Sequence, residues 1–388
     1  MSRLDELIAK FCPNGVKYRE LKDILIIKNG KDYKNLTEGK YPVYGSGGIM
    51  TYVSSYVYDK PSVLIPRKGS IDKLYYVEEP FWNVDTIFYT EIDEEKVIPR
   101  YVYFCLQKEH LEQYNTAGGV PSLTQKVLNR VKLPVPPLEV QREIVHILDS
   151  FTLLTAELTA ELTARKKQYE YYRDTMLSVD TQIPIVKLKD IATEMYRGSG
   201  IKRDQVTSEG IPCVRYGEIY TTYNTWFEKC ISHTKLEYVS SPKYFEHGDI
   251  LFAITGESVE DIAKSIAYIG HEKCLAGGDI VVMKHKQNPK YLSYVLSTYN
   301  ARLQKSKGKI KSKVVHSNVP SIENIEIPLP PLEVQERFAN VLDNFESICS
   351  NLNIGLPAEI ELRNKQYEFY RDQLLTFAET GNTILTDR

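Results

Sequence analysis

The chain states nearly the same thing twice. Pro134-Val135-Pro136-Pro137-Leu138-Glu139-Val140-Gln141 returns as Pro328-Leu329-Pro330-Pro331-Leu332-Glu333-Val334-Gln335, and Lys167-Gln168-Tyr169-Glu170-Tyr171-Tyr172-Arg173-Asp174 returns as Lys365-Gln366-Tyr367-Glu368-Phe369-Tyr370-Arg371-Asp372. The offset is 194 residues for the first motif and 198 for the second. Solenoid repeats recur every 20 to 50 residues or so, and this period is far longer. The chain must therefore fold as two copies of one large unit, a pseudo-dimer in a single polypeptide.

Between the repeated motifs the character of the chain alternates. Residues 1–133 carry 19 Lys+Arg against 17 Asp+Glu and residues 181–327 carry 20 against 16, whereas 134–180 carry 5 against 8 and 328–388 carry 5 against 10. Two mildly basic segments, suited to a polyanion, thus alternate with two acidic ones suited to protein partners. The net charge of −2 conceals this. A length of 388 residues with 42% hydrophobic and 26% charged residues fits two to four ordinary globular domains. No apolar run reaches the ~18 residues of a membrane helix, and Met1 to Cys12 lacks the apolar segment of a secretory signal, so a cytoplasmic protein with no membrane partner is expected. Six dispersed cysteines without a C-x-x-C pair fit reduced thiols better than a disulfide framework.

The basic segments read as mixed, strand-rich domains. Short runs dense in Val, Ile and Tyr, such as Ser62–Ile65, Thr86–Thr90, Ile250–Ile254 and Ile280–Met283, are bounded by turn residues. Weak matches relate the copies: Leu21-Lys22-Asp23-Ile24 with Leu188-Lys189-Asp190-Ile191, and Tyr41-Pro42-Val43 with Ile211-Pro212-Cys213. The acidic segments read as helices. Apolar residues at Leu138, Ile144, Leu148, Phe151, Leu158, Leu162, Tyr169, Tyr172 and Met176 form a coiled-coil seam broken by Arg165. It embeds the tetrads Thr155-Ala156-Glu157-Leu158 and Thr159-Ala160-Glu161-Leu162. In the second copy Gly355-Leu356-Pro357 predicts a kink or break. The expected fold class is α+β: two mixed α/β domains, residues 1–133 and 181–327, separated by two long helices, within 134–180 and 328–388, that form an antiparallel coiled coil with pseudo-twofold duplication.

Catalytic patterns are scarce. The three Gly-Lys pairs lack the Ser or Thr of a phosphate-cradling loop. Asn288-Pro289-Lys290-Tyr291 is one residue from a methyltransferase Asn-Pro-Pro-Tyr but reads as a helix-opening turn. Glu94-Glu95-Lys96 with Asp85 reads as a solvated acidic loop. Cys230 and His233 with His271 and Cys274 have ligand types and spacings acceptable to one zinc, yet chance pairs are expected at this Cys and His content. No catalytic residue, metal site or cofactor is assigned to this chain.

A nucleic-acid surface is easier to assemble. Lys305, Lys307, Lys309, Lys311 and Lys313 recur at every second residue, which in an extended segment puts five ammonium groups on one side where each could neutralise a phosphate. A solvated loop is the alternative. The corresponding place in the first copy holds Gly118, Gly119, Ser122, Gln125 and Lys126, where glycines permit close approach and the others offer donors. Ser46 and Gly47 in a Gly-rich turn, Arg67 and Lys68 after a strand, Arg215 and Tyr216, and Thr255 and Glu257 complete the candidates. A purely structural role stands beside a base contact for each.

With its duplicated Pro-Pro-Leu-Glu-x-Gln and Lys-Gln-Tyr-Glu motifs and its Thr-Ala-Glu-Leu tetrads, the whole chain resembles the specificity (S) subunit of bacterial type I restriction-modification systems. The resemblance implies two target recognition domains, each reading half of a split, asymmetric site in double-stranded DNA, and two conserved helical regions that set the spacer. It implies a non-catalytic subunit that recruits two adenine-N6 methyltransferase (M) subunits and two restriction-translocase (R) subunits, with S-adenosylmethionine, ATP and Mg bound by those partners. Tyr171 and Phe369, with Arg173 and Arg371 beside them, are the expected docking residues. A stand-alone architectural DNA-binding protein with two recognition domains is the alternative.

Overall fold

The computed structural model describes residues 2–115, 121–178, 183–259, 261–305, 309–311, 314–350 and 355–380. The chain forms two compact units, Met1–Thr159 with Glu359–Arg388, and Ala160–Ala358. Among the described residues no helix is long and apolar enough to cross a membrane.

In the first unit, a four-stranded sheet runs in the order Leu25–Asn29, Ile87–Ile92, Ser62–Pro66, Tyr75–Val77, and a three-stranded sheet in the order Gly48–Val53, Glu38–Gly45, Trp82–Asn83. Ser62–Pro66 is buried at every residue, as its unbroken apolar centre requires of a strand covered on both faces. Val63 and Ile65 pack with Tyr101 and Phe104 of the helix Pro99–Lys108. The same cluster takes in Val140, Ile144 and Leu148 of the long central helix Leu138–Leu177, and Leu374 and Leu375 of the distal helix Gly355–Thr380. The spacing of Val140, Ile144 and Leu148 places them on one helical face. Burying each contributes about 1.5 to 3 kcal/mol.

The second unit repeats the plan with larger sheets. One runs Ala192–Arg197, Ile280–His285, Ile250–Ala253, Ser265–Tyr268, Trp226–Phe227, and another Val206–Thr207, Ser232–Thr234, Ile211–Val214, Cys274–Ala276, Tyr244–Phe245. Its helix-facing core joins Ile250, Phe252 and Met283 to Tyr291, Tyr294 and Leu296 of the helix Pro289–Leu296, Leu177 of the central helix, and Leu342 of the distal helix Leu332–Ser350. The strand-forming runs read from sequence are strands here. Asn288 is the N-cap of Pro289–Leu296, its side chain accepting from the Tyr291 N–H at 2.9 Å, which is the structural meaning of the Asn-Pro-Lys-Tyr pattern.

Each domain is closed at its ends by the same device. Tyr18–Glu20 pairs antiparallel with Lys132–Pro134, and Ile185–Lys187 with Glu326–Pro328. One residue further on, after Val135 or Leu329, comes Pro-Pro-Leu-Glu-Val-Gln, whose glutamine is buried in both units. Gln141 accepts the Ile98 N–H at 2.8 Å and donates to the carbonyls of Lys96 at 3.1 Å and Pro136 at 2.7 Å. Gln335 accepts the Asn288 N–H at 3.0 Å and donates to Gln287 Oε1 at 2.9 Å and the Pro330 carbonyl at 2.8 Å. A tyrosine seals the joint from the other side: Tyr101 donates to the Pro134 carbonyl at 3.1 Å, and Tyr291 to the Pro328 carbonyl at 2.8 Å. A cation then crosses from domain to helix, Arg100 to Asp149 at 2.8 Å and Lys290 to Asp343 at 2.6 Å.

The distal segment is two helices, Leu332–Ser350 and Gly355–Thr380. Gly355 has φ +71, and Pro357 falls in the first turn of the following helix, where no intrahelical N–H is needed. The central helix is continuous over 40 residues. Its seam departs from expectation near the end. Tyr172 is turned outward, and the inward line is Tyr169, Arg173, Leu177, a four-residue step that follows the drift of a 3.6-residue helix against a 3.5-residue repeat.

Replacing Gln335 with Ala leaves the Asn288 N–H and the Pro330 carbonyl without this partner. The expected cost is about 1 to 3 kcal/mol of unfolding free energy in urea, with faster amide exchange at the start of Leu332–Ser350. A change under about 0.5 kcal/mol, within the range of neutral surface substitutions, would show that the amide is incidental.

Candidate nucleic-acid interface

In the first unit, backbone pairing brings together candidates far apart in sequence. Gly45 and Gly48 pair across a two-residue turn holding Ser46 and Gly47, and Gly48 adopts φ +114, which glycine tolerates without strain. The Ser46 N–H donates to Thr86 Oγ1 at 3.3 Å, and Tyr75 donates its hydroxyl proton to the Ser46 carbonyl at 3.2 Å. Past the end of Ser62–Pro66, Arg67 donates its N–H to the Thr86 carbonyl and accepts the Leu123 N–H, both at 2.9 Å. Lys68 and Ser122 form an antiparallel bridge. A Cβ on Gly69 would lie 3.7 Å from Ser46 Oγ. Ser46, Gly47, Lys68 and Ser122 therefore share one patch, with Gly47 and Lys68 exposed.

Three other candidates differ in character. Arg67 is half-buried, its guanidinium 5.4 Å from the Phe88 ring, and its Nε is buried with no hydrogen-bond partner among the described residues. Gln125 donates to the Ile27 carbonyl at 3.1 Å, a bond that fixes the short helix Gln125–Leu128 against the sheet. Lys126 is exposed. Gly118 and Gly119 lie outside the described residues. The sequence reading missed the strand Gly48–Val53, where Ile49, Met50 and Tyr52 are each about half exposed. Their composition signals a core strand, and only their position on the outer strand of the three-stranded sheet reveals an apolar surface beside the glycine turn.

The second unit builds its counterpart at the same strand end. Thr255 and Gly256 pair with His316 and Val315, and Val314–His316 pairs in turn with Lys309–Lys311. Thr255 is buried, its Oγ1 3.3 Å from His316 Nδ1, while Glu257 is exposed. A Cβ on Gly256 would lie 2.8 Å from the Tyr220 hydroxyl. Tyr220 belongs to the helix Tyr216–Thr221, which Arg215 precedes. Arg215 is bound through Nε to Glu218 at 3.2 Å, and Ser232 donates to the same carboxylate at 2.7 Å. Arg215 and Tyr216 line a cleft of about 480 Å³ together with Arg203 and Gly277.

The lysine comb is not one extended segment. Lys305 ends the helix Tyr299–Lys305 and is buried, donating to the Leu296 carbonyl at 2.7 Å and Ser265 Oγ at 2.9 Å. It cannot reach a phosphate from there, which corrects its expected place. Desolvation, with a lesser contribution from the like charge of Arg302, pushes its ammonium down to about 7. Lys309 and Lys311 lie in a strand, and Lys307 and Lys313 fall outside the described residues.

On the two long helical segments, Tyr171 and Phe369 are the most exposed of the described aromatics, at 67% and 57%, ahead of Tyr172 and Phe345. Arg173 and Arg371, expected beside them at a docking surface, are turned inward. Arg173 binds Asp174 at 2.7 Å and Arg371 binds Asp372 at 2.8 Å, each lying 5.8 Å from the ring of Tyr169 or Tyr367 four residues earlier. They order the helix rather than present charge.

The weaker chemical patterns resolve into structure. The His271 ring stacks on His247 at 5.1 Å while Cys274 donates to the Tyr268 hydroxyl at 3.4 Å. Lys96 pairs with Asp93 at 2.6 Å. Among the described residues no group of three or more His, Cys, Asp or Glu could hold a metal ion.

The burial of Lys305 has a sign that can be tested. Its folded-state pKa lies below the ordinary lysine value, so between about pH 7 and that value the unfolded chain binds a proton that the folded chain does not, and stability rises with pH. Wild type is expected to gain thermal stability relative to Lys305→Met between pH 7 and 9. A difference that stays constant over that interval would contradict the inward ammonium.

Comparison with known proteins agrees on one family. The family model of the type I restriction modification DNA specificity domain matches residues 13–165 and again 182–362. The type I restriction enzyme EcoR124I/EcoR124II specificity subunit of Escherichia coli is 30% identical over 303 residues, covering 74% of this chain and 73% of that one. A chain solved in work on complex assembly and conformational transition of the type I R-M system shares the fold, with a TM-score of 0.56 at 15% identity, covering 94% of this chain and 98% of its own.

Proposed function

Because the chain belongs to the type I restriction modification DNA specificity domain family, we propose that it is the sequence-specific DNA-recognition subunit of a type I restriction-modification complex. Each domain reads one half of a bipartite, asymmetric site, and the helical regions set the unspecified spacer and dock the methyltransferase subunits. The subunit performs no chemistry itself. Two M subunits supply adenine-N6 methylation with S-adenosylmethionine, and two R subunits supply ATP- and Mg-dependent translocation and cleavage, in the cytoplasm.

One observation carries this reading. In both units the loop after the innermost strand pairs with the segment leading to the final helix turn, Lys68 with Ser122 and Thr255 with His316. Two homologous platforms thus carry different side chains at one position of the fold, which suits two different half-sites. Cations such as Lys68 and Lys126 would hold phosphates, while Arg67, Ser122 and the polar edge of the glycine turn would meet base edges. In the second platform Lys309, Lys311 and Tyr216 take the backbone role, and Glu257 could accept from a cytosine amino group. Exposed Tyr171 and Phe369 are the aromatic anchors on which an M subunit would seat.

The helices make the spacer testable. Inserting one Thr-Ala-Glu-Leu tetrad after Leu162 lengthens an α-helix by about 6 Å, and methylome sequencing is expected to show a longer gap between unchanged half-sites. Changed half-sites with an unchanged gap would refute the ruler. In the M-containing complex, Lys68→Ala should weaken binding to all duplexes alike and lower the salt slope by about 0.9. An unaltered slope would remove Lys68 from the interface.

A further inference from the structure

Resting on the DNA-reading role above, we propose that Arg215 of the second unit reads a guanine, with buried Glu218 as the residue that positions it. Arg215 is the N-cap of the helix Tyr216–Thr221, and Glu218 is that helix's third residue. The carboxylate turns back onto the arginine: Glu218 Oε2 accepts the Arg215 backbone N–H at 3.1 Å, and Oε1 accepts the Arg215 Nε–H at 3.2 Å. Ser232, from the strand Ser232–Thr234, donates to Oε1 at 2.7 Å. The Glu218 side chain is 6% exposed and that of Arg215 30%, so the carboxylate is enclosed while the guanidinium reaches the surface.

Tying Nε leaves the end of the fork. Among the described residues neither Nη of Arg215 makes a hydrogen bond. With its charge matched at close range, this guanidinium gains less from a phosphate than an unmatched cation does, but its two Nη groups still present parallel donors to a pair of acceptors. Guanine offers such a pair, O6 and N7, on its major-groove edge, and no other base presents two acceptors there. Holding Nε in advance also lowers the entropy lost when the fork is ordered on its target.

The space in front of the fork is kept clear. Arg215 lines an open cleft of about 480 Å³ with Arg203, Gly200, Gly217 and Gly277. Gly200 and Gly217 are not at positive φ, and a Cβ on either would meet nothing within 4 Å. Neither backbone conformation nor packing asks for glycine at these two places, and Gly217 stands in a helix, where glycine is a poor former. What glycine gives there is a wall without side chains, which lets the edge of a base pair come close. Exposed Arg203 at the same cleft supplies a cation for the adjoining phosphate. Tyr220 of the same helix donates to the Ala253 carbonyl at 3.3 Å, which seats the arrangement beside Thr255 and Gly256 of the recognition platform.

Methylome sequencing with the M-containing complex is expected to show that Arg215→Lys, its fold checked by circular dichroism, tolerates other bases at one guanine position of one half-site and leaves the other half-site unchanged. Glu218→Gln, which releases the fork, should lose the same discrimination. On the wild-type complex, which needs no variant, 7-deazaguanine placed at each guanine of the site in turn removes the N7 acceptor and should weaken duplex binding at least about fivefold at one of them. An Arg215→Lys methylome identical to wild type would overturn the proposal, and so would full affinity for every 7-deazaguanine duplex. If Arg215→Ala weakened all duplexes alike and lowered the salt slope, the contact would be to a phosphate, which overturns it too. A wild-type complex that leaves no bipartite methylation would refute the DNA-reading role itself, a failure distinct from these.

Discussion

A buried side-chain amide is the interaction on which both halves of this molecule depend. Gln141 and Gln335 each satisfy backbone groups from two separate segments, the loop that opens the short domain helix Pro99–Lys108 or Pro289–Leu296 and the Pro-Pro turn. Without such a partner, the Pro-Pro turn that follows each closing strand would leave polar backbone groups buried at the point where domain becomes helix. The amide suits the task because it donates and accepts at once. Tyr101 and Tyr291, and the ion pairs Arg100–Asp149 and Lys290–Asp343, extend the joint outward. Each helix thereby leaves its own domain in a fixed direction.

The two domains illustrate how one scaffold tolerates different surfaces. The buried strands Ser62–Pro66 and Ile250–Ala253 occupy equivalent places, and the residues after them are free to vary because their backbone bonds are made by strand-like pairing rather than by side chains. In the first domain this leaves a glycine turn, one exposed lysine and a half-exposed apolar strand. In the second it leaves a three-stranded patch with lysines in its outer strand and a glycine packed under Tyr220.

Much of this organisation was legible in the sequence because it rests on period and punctuation. Pro-Pro marks the helix starts, β-branched and aromatic runs mark the strands, and Gly355 with Pro357 marks the break. The repeated glutamine was visible, but its role was not, since its partners are backbone atoms of residues 96–98 and 287–288. Lys305 was misplaced because alternate spacing suggests a strand, whereas the helix begun at Tyr299 runs on into the first lysine. Arg173 and Arg371 were placed with Tyr171 and Phe369 because they are near them in sequence; their four-residue spacing from Tyr169 and Tyr367 puts them on the buried face instead. The gathering of Ser46, Lys68 and Ser122 depends on contacts between residues 29 to 54 positions apart, which no local pattern encodes.

The makeup of each hydrophobic core carries a consequence for a half-length chain. Leu374 and Leu375, needed by the first core, come from the second copy, and Leu177, needed by the second core, comes from the first. Neither copy closes its own interior. A half-length polypeptide would have to borrow the missing leucines from an identical neighbour, which is what two copies joined end to end in one chain supply to each other.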